Sequence, residues 1–396
     1  MTEFRIFGYQ LDAESNLRQL MALAKRGHEV TYLAARTSRF KDLAIHVQGF
    51  RLETVLLRRV TPILSLILFE LMVAWHFLTS IDRYDVVILN DESFPALFPF
   101  LVLQHLFSRF PVLFLRIASK PVEVGGFLRS LAATSAYVLS IQVSKTLFHK
   151  IFFISPMLAQ STSLEFDISR NRVGVWPSSV DADVFDPTLM GKSVGRLRKE
   201  LRLQGKLGVL YHGVLSKGRG IMEMVEAFRI LKEESTRAIL VLLGDGPARN
   251  NVLRYLYENE LREFVQVRGA VNYQEVPTYI AACDVEIVPL PDHPWWRYQC
   301  PIKVLESLAM NKPLIISDIP ANRWIVGNAR VALYLTGTTP REIANGVQTF
   351  LATRNRLDPS LGRKIALEFS SEKIAEMLEN QALLAIGLSH RLSGRH

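Results

Sequence analysis

At 396 residues the chain exceeds one ordinary hydrophobic core and fits two domains of roughly 180 to 200 residues each. Apolar residues at 49% and charged ones at 21% exclude a disordered chain, while two cysteines, Cys283 and Cys300, exclude a disulfide framework and predict a reducing compartment. The net charge of +9 is spread along the chain, with 19 Lys/Arg against 14 Asp/Glu over residues 1–180, so it lacks the dense basic face that nucleic acid demands. Phosphate-bearing substrates or an anionic membrane surface account for the excess.

In chain order, the opening residues carry Glu3, Asp12 and Glu14 and no apolar signal core, which predicts a cytoplasmic protein. Residues 13–27 read as a helix ended by Gly27, residues 29–34 as a buried strand, and His28 between them as a structural residue. Residues 60–79 hold 14 apolar residues in 20, with Thr61-Pro62 as a helix start and Glu70 interrupting the run. A mid-segment carboxylate disfavours a membrane span. Two readings stay open: a helix buried in the core, or one touching a membrane together with helices 94–108 and 127–149 and the cations Arg58, Arg59, Lys120, Lys145 and Lys150. Strands at 83–90, 111–117 and 151–154 alternate with these helices, predicting an α/β fold with a parallel sheet wound on both faces. Residues 174–187 continue from a strand into Asp- and Pro-containing chain that suits a domain link and a hinge.

The second half repeats the alternation more plainly. Strands at 207–212, 238–243, 264–268 and 284–290 each deliver a Gly- or Pro-containing loop, the first three at 213–220, 244–247 and 269–277. Gly213 and Gly220 permit close backbone approach, and a helix over 221–231 points its free N–H groups at an anion. Lys217 and Arg219 add positive charge there, either to hold a phosphate or as an ordinary basic turn. Gly244 and Gly246 do not complete a dinucleotide fingerprint, because Pro247 follows, so a nicotinamide cofactor is not expected. Residues 299–316 then place the carboxylate of Glu306 in an otherwise apolar helix. Pro301 suits its first turn, Asn311 its left-handed end, and residues 314–316 a following strand. Glu306 either pairs with Lys303 on a solvated turn or serves a ligand.

Taken together, these loops from about 205 to 320 resemble the donor-binding domain of the large retaining family of nucleotide-sugar glycosyltransferases, family 4, and the helix-to-strand passage at 23–32 resembles the start of its other domain. The resemblance implies the GT-B fold, two Rossmann-like domains facing a cleft, here 1–180 on the acceptor side, 181–372 for the donor, and 373–396 as a C-terminal helix returning to the first domain. It implies transfer of a sugar from a nucleoside-diphosphate sugar to a glycan or lipid-linked acceptor with retention, without metal, cofactor or protein nucleophile. Glu306 matches the family's ribose-gripping Glu, and Arg219 and Lys303, with Lys217, would stabilise the leaving diphosphate. Gly213, Gly220, Gly244, Gly246, Val271, Tyr298 and Pro301 fall on the donor-binding positions. Three departures stand out: Val214 replaces a customary Arg, Tyr298 replaces the first Glu of the usual pair, and the acceptor-side His is absent, with Arg116 and Ser119 nearby. A sugar-nucleotide epimerase and a degenerate scaffold remain the alternatives.

Overall fold

The computed structural model describes residues 3–10, 16–35, 47–55, 62–90, 94–107, 111–121 and 127–393. Expectations for residues 13–15, Arg58, Arg59, 60–61 and 108 lie outside them. The chain forms two compact units, residues 1–179 with 371–396, and residues 180–370.

The first unit runs β1 (Arg5–Gln10), α1 (Leu17–Lys25), β2 (Glu29–Ala35), β3 (Phe50–Val55), α2 (Pro62–Ser80), β4 (Val86–Asn90), α3 (Phe94–Phe107), β5 (Val112–Ile117), α4 (Phe127–Leu147), β6 (Lys150–Phe153), α5 (Pro156–Phe166) and β7 (Val173–Val175). Its sheet has the order β3-β2-β1-β4-β5-β6-β7, and every pairing is parallel. The central strands β4 and β5 are buried along their whole length, as helices on both faces require. Alternation along the strands sends Ile6, Val86, Val112 and Phe114 to the face covered by α1, while Phe7 packs against His76 and Phe77 of α2 on the other. His28 is buried: its Nδ1 accepts the Phe4 backbone N–H at 3.3 Å and its ring stacks on Phe4.

The second unit runs α6 (Lys192–Glu200), β8 (Leu207–His212), α7 (Ile221–Glu233), β9 (Ala238–Leu243), α8 (Arg249–Glu258), β10 (Val265–Arg268), α9 (Val276–Ala282), β11 (Val285–Val288), α10 (Pro294–Arg297), α11 (Ile302–Ala309), β12 (Leu314–Ser317), α12 (Pro320–Val326), β13 (Ala332–Leu335), α13 (Pro340–Thr353) and α14 (Leu361–Leu367). The order β10-β9-β8-β11-β12-β13 puts a topological switch between β8 and β11: the chain leaves β8 toward β9 on one side and β11 toward β12 on the other. Connections that diverge in this way open a crevice at the carboxyl ends of the two strands.

The chain then returns to the first unit as α15 (Ser371–Ser393), whose Ile374, Ala375, Leu378 and Ala382 join the core beneath α1. Arg26 Nε donates to Glu379 Oε2 at 2.6 Å and clamps the two helices together. Of residues 174–187, expected as a link and hinge, those from Val180 onward are fastened into the second unit. Phe185 is fully buried, and the Arg363 guanidinium donates to the carbonyls of Ala182 and Phe185 and to Asp186 Oδ2.

Candidate functional site

The carboxyl end of β8 carries Tyr211 and His212 into Gly213, whose φ of +120° no other residue adopts without strain. The Lys303 ammonium crowds the position as well, since an added Cβ would lie 3.1 Å from Nζ and push it aside. Gly220, at φ +73°, caps α7 in the left-handed region and passes so close to Pro289 that a Cβ would meet its carbonyl at 2.6 Å. The first free N–H groups of α7 therefore open beside the loop after β11.

Gly244 and Gly246 are explained by packing within the unit. Both have positive φ, and a Cβ at either would collide with the backbone of Gly213 or Leu215. Gly213 N–H donates to Leu243 O and Leu215 N–H to Asp245 O, each at 2.9 Å, so the loops after β8 and β9 lie backbone against backbone.

Helix α11 enters from the other side of the switch. Pro301 is its N-cap, with extended φ and ψ, one position before the first turn expected for it. Asn311 ends the segment at φ +53°, as the sequence suggested. Lys303 is 6% exposed and Glu306 4%, which removes the reading of a solvated pair. Lys303 instead sets its ammonium 3.7 Å from the centre of the Tyr211 ring, and among the described residues no hydrogen-bond acceptor reaches Nζ. A buried ammonium with no anionic partner is costly, so the site favours an incoming anion.

Glu306 belongs to a buried network that the sequence reading missed. Its Oε2 lies 2.8 Å from His212 Nε2; on the far side of the imidazole, Nδ1 lies 3.0 Å from Oε1 of Glu286, a residue 1% exposed in the middle of β11. The same Glu286 oxygen accepts the His212 backbone N–H at 3.3 Å, and Ser307 Oγ donates to Oε2 at 3.3 Å. Burial alone would lower the His212 pKa, but Glu286 and Glu306 together outweigh it and push it up to about 10. His212 is thus an imidazolium at neutral pH.

Arg219 is half-buried, with its guanidinium carbon 4.9 Å from the Trp296 ring centre. Trp296 also donates Nε1–H to Gly218 O at 2.8 Å, so α10 pins the basic loop from above. Lys217 is exposed, whereas Tyr298 and Val271 are half-buried in the loops after β11 and β10. The two residues expected on the acceptor side belong to the first unit. Ser119 is half-buried after β5, but Arg116 lies inside that unit, its guanidinium carbon 5.4 Å from the Trp176 ring centre, and does not face an open loop.

Residues 206–353 match the family of glycosyl transferases group 1. Among curated proteins, the chain is 25% identical over 171 residues to the alpha-D-kanosaminyltransferase of Streptomyces kanamyceticus, covering 43% of this chain and 42% of that one. It is also 25% identical over 216 residues to the alpha-monoglucosyldiacylglycerol synthase of Streptococcus pneumoniae, covering 54% and 47%. The matches thus span about half the length of these relatives. In overall fold the chain is similar to Anabaena Alr3699/HepE, solved in complex with UDP and glucose, at a TM-score of 0.74 with 13% identity over 95% of this chain and 98% of that one. That likeness makes the architecture GT-B.

Proposed function

We propose that this protein, whose residues 206–353 match the glycosyl transferases group 1 family, transfers a sugar from a nucleoside-diphosphate sugar to a glycan or lipid-linked acceptor, with retention of configuration. The observation that carries this reading is the pairing, on one turn of α11, of a buried cation without an anion, Lys303, and a buried carboxylate, Glu306, at the crevice between β8 and β11. A nucleoside diphosphate has the complementary groups, an anionic diphosphate and a ribose diol. Lys303, Arg219, Lys217 and the N-terminus of α7 supply positive charge where the leaving diphosphate gains its negative charge, which lowers the barrier electrostatically. Glu306 binds and orients. No resident cofactor enters this scheme, because the donor is the co-substrate. A thermal-shift screen against UDP-, GDP- and ADP-sugars tests donor binding, since a ligand of the folded state raises its apparent stability. Absence of any shift, or hydrolysis and epimerisation without transfer to supplied glycan or lipid acceptors, refutes the reading.

We further infer peripheral contact with the cytoplasmic face of a membrane, where a lipid-linked acceptor is met. Leu68, Leu71, Met72, Trp75 and Leu78 form one exposed stripe along α2, and Trp75 is 69% exposed. Leu103 and Leu106 of α3 and Leu131, Val138 and Leu139 of α4 are exposed on the helices that follow. An apolar surface of this extent on a soluble fold marks an interaction site. Among the described residues no helix is long and apolar enough to cross a membrane, so contact would be superficial. The surplus positive charge of residues 1–180 suits anionic lipid.

A further inference from the structure

Nothing in donor chemistry demands that Glu306 be wired to a second carboxylate. Yet His212, at the end of β8, separates Glu286 of β11 from Glu306 of α11, with all three side chains buried. Two buried carboxylates on either side of one ring would repel. An imidazolium between them offsets the repulsion; Nε2 makes the hydrogen bond that directs Glu306, whereas Nδ1, 3.0 Å from Glu286 Oε1, is a charge contact without hydrogen-bond alignment. Glu286 in turn is held at both oxygens, by the His212 backbone N–H and by Ser307 Oγ. Glu306 commits only Oε2.

We propose that His212, backed by Glu286, is a positioning residue: it offsets the charge of Glu306 and holds it in one rotamer, with Oε1 directed to the vicinal diol of the donor ribose. The proposal rests on Glu306 receiving that ribose. It adds a discriminating function to a pair of residues that strand pairing alone would not require, since apolar side chains would fill the same places at no desolvation cost. The charged groups facing the imidazole are Glu286 on β11 and Glu306 on α11; the Lys303 ammonium lies on the neighbouring Tyr211 ring.

The test is calorimetric binding of UDP, GDP and ADP and of their 2′,3′-dideoxy counterparts to wild type, Glu306→Ala, His212→Asn and Glu286→Gln. Wild type is expected to prefer the tightest ribonucleotide over its dideoxy form by roughly tenfold or more, the range set by a hydrogen bond to a charged group. His212→Asn should bind the ribonucleotide roughly tenfold more weakly while leaving dideoxy affinity unchanged. If wild type makes no distinction, or Glu306→Ala keeps it, the ribose reading and the clamp fall together. If Glu306→Ala abolishes the distinction but His212→Asn retains it, only the clamp is overturned. Glu286→Gln guards against a His212 variant that does not fold. With one carboxylate gone the His212 pKa drops, so ribonucleotide affinity in this variant should fall as pH rises from 6 to about 9, the range over which wild type stays flat. A loss equal at every pH would mark a merely structural role and overturn the proposal.

Discussion

The Lys303 ammonium rests 3.7 Å from the centre of the Tyr211 ring and, among the described residues, has no acceptor at Nζ, so its buried charge is held by a π face. A cation over an aromatic ring recovers roughly 0.5 to 2 kcal/mol, less than the desolvation of an ammonium.

Lys303→Met should therefore separate function from stability. Turnover at saturating donor should fall by roughly 100-fold or more, the scale of losing one charge-stabilising group, while the denaturation midpoint stays equal or rises. Steady-state kinetics and urea unfolding on the same preparation decide the matter; a variant that is destabilised yet fully active would show that the ammonium serves packing.

Arg219 and Trp296 should behave as a unit. Arg219→Ala is expected to lower turnover more than donor affinity, because its charge acts mainly on the leaving group. Trp296→Ala, which removes both the ring beneath the guanidinium and the hydrogen bond to Gly218 O, should reproduce part of that loss, and the double variant should be no worse than Arg219→Ala alone. Lys217→Ala should be milder, since Lys217 is exposed. Additive losses in Arg219 and Trp296 would show that the ring acts independently.

What could be read from the sequence depended on how local the signal was. Gly213, Gly220, Pro301 and Asn311 announce turns and helix ends within a few residues, and the structure gives three of them positive φ. The apolar runs at β4, β5, β8 and β9 announce buried strands for the same reason. By contrast β1 and β3 escaped notice. Gly8 and Gln10 dilute the apolar pattern of β1, while β3 is an edge strand whose Arg51 and Glu53 alternate toward solvent. The His212 network was invisible because its members are 74 and 94 residues apart and meet only through the pairing of β8 with β11 and the packing of α11. A single clue existed, a His and a Glu each inside an apolar strand. Gly244 and Gly246 illustrate the reverse, since a loop that resembles a ligand cradle finds its reason in a neighbouring backbone.

The raised pKa of His212 also carries a stability consequence. A group whose folded pKa lies above its unfolded value stabilises fully below the unfolded value, near 6.5, and loses that contribution as pH rises through the folded one, about 10. Burial lowers the pKa of His76 and His149, so their effect is complete below pH 7, and burial raises Cys283, whose effect begins near 9. Between pH 7 and 9 His212 contributes a falling slope of up to roughly 1.4 kcal/mol per pH unit, which the burial-lowered Lys312 and Lys150 oppose as they approach their own titration. Urea denaturation at pH 7, 8 and 9 should show stability falling in wild type and a flatter profile in His212→Asn. Parallel profiles would mean that the imidazole is neutral.

The exposed stripe on α2 gives the membrane reading its own test. Three of the cations expected to serve a lipid surface are engaged within the first unit: Lys120 Nζ lies 2.6 Å from Glu165 Oε2, while Lys145 and Lys150 donate to the carbonyls of Phe166 and Asn171. Adsorption should then depend more on insertion of Leu71, Met72 and Trp75 than on charge, and so survive moderate salt. Flotation of the purified protein with vesicles containing anionic lipid should recover wild type with the vesicles at low salt and at about 0.15 M. Leu71→Ser combined with Trp75→Ser removes the most exposed part of the stripe without touching the buried face of Phe69, Val73 and Phe77, so the fold should be kept within roughly 0.5 kcal/mol per site. That variant should remain in the soluble fraction while donor binding is unchanged. Wild type failing to float would end the membrane reading and leave the transferase reading standing; equal flotation of both proteins would move the contact to another surface.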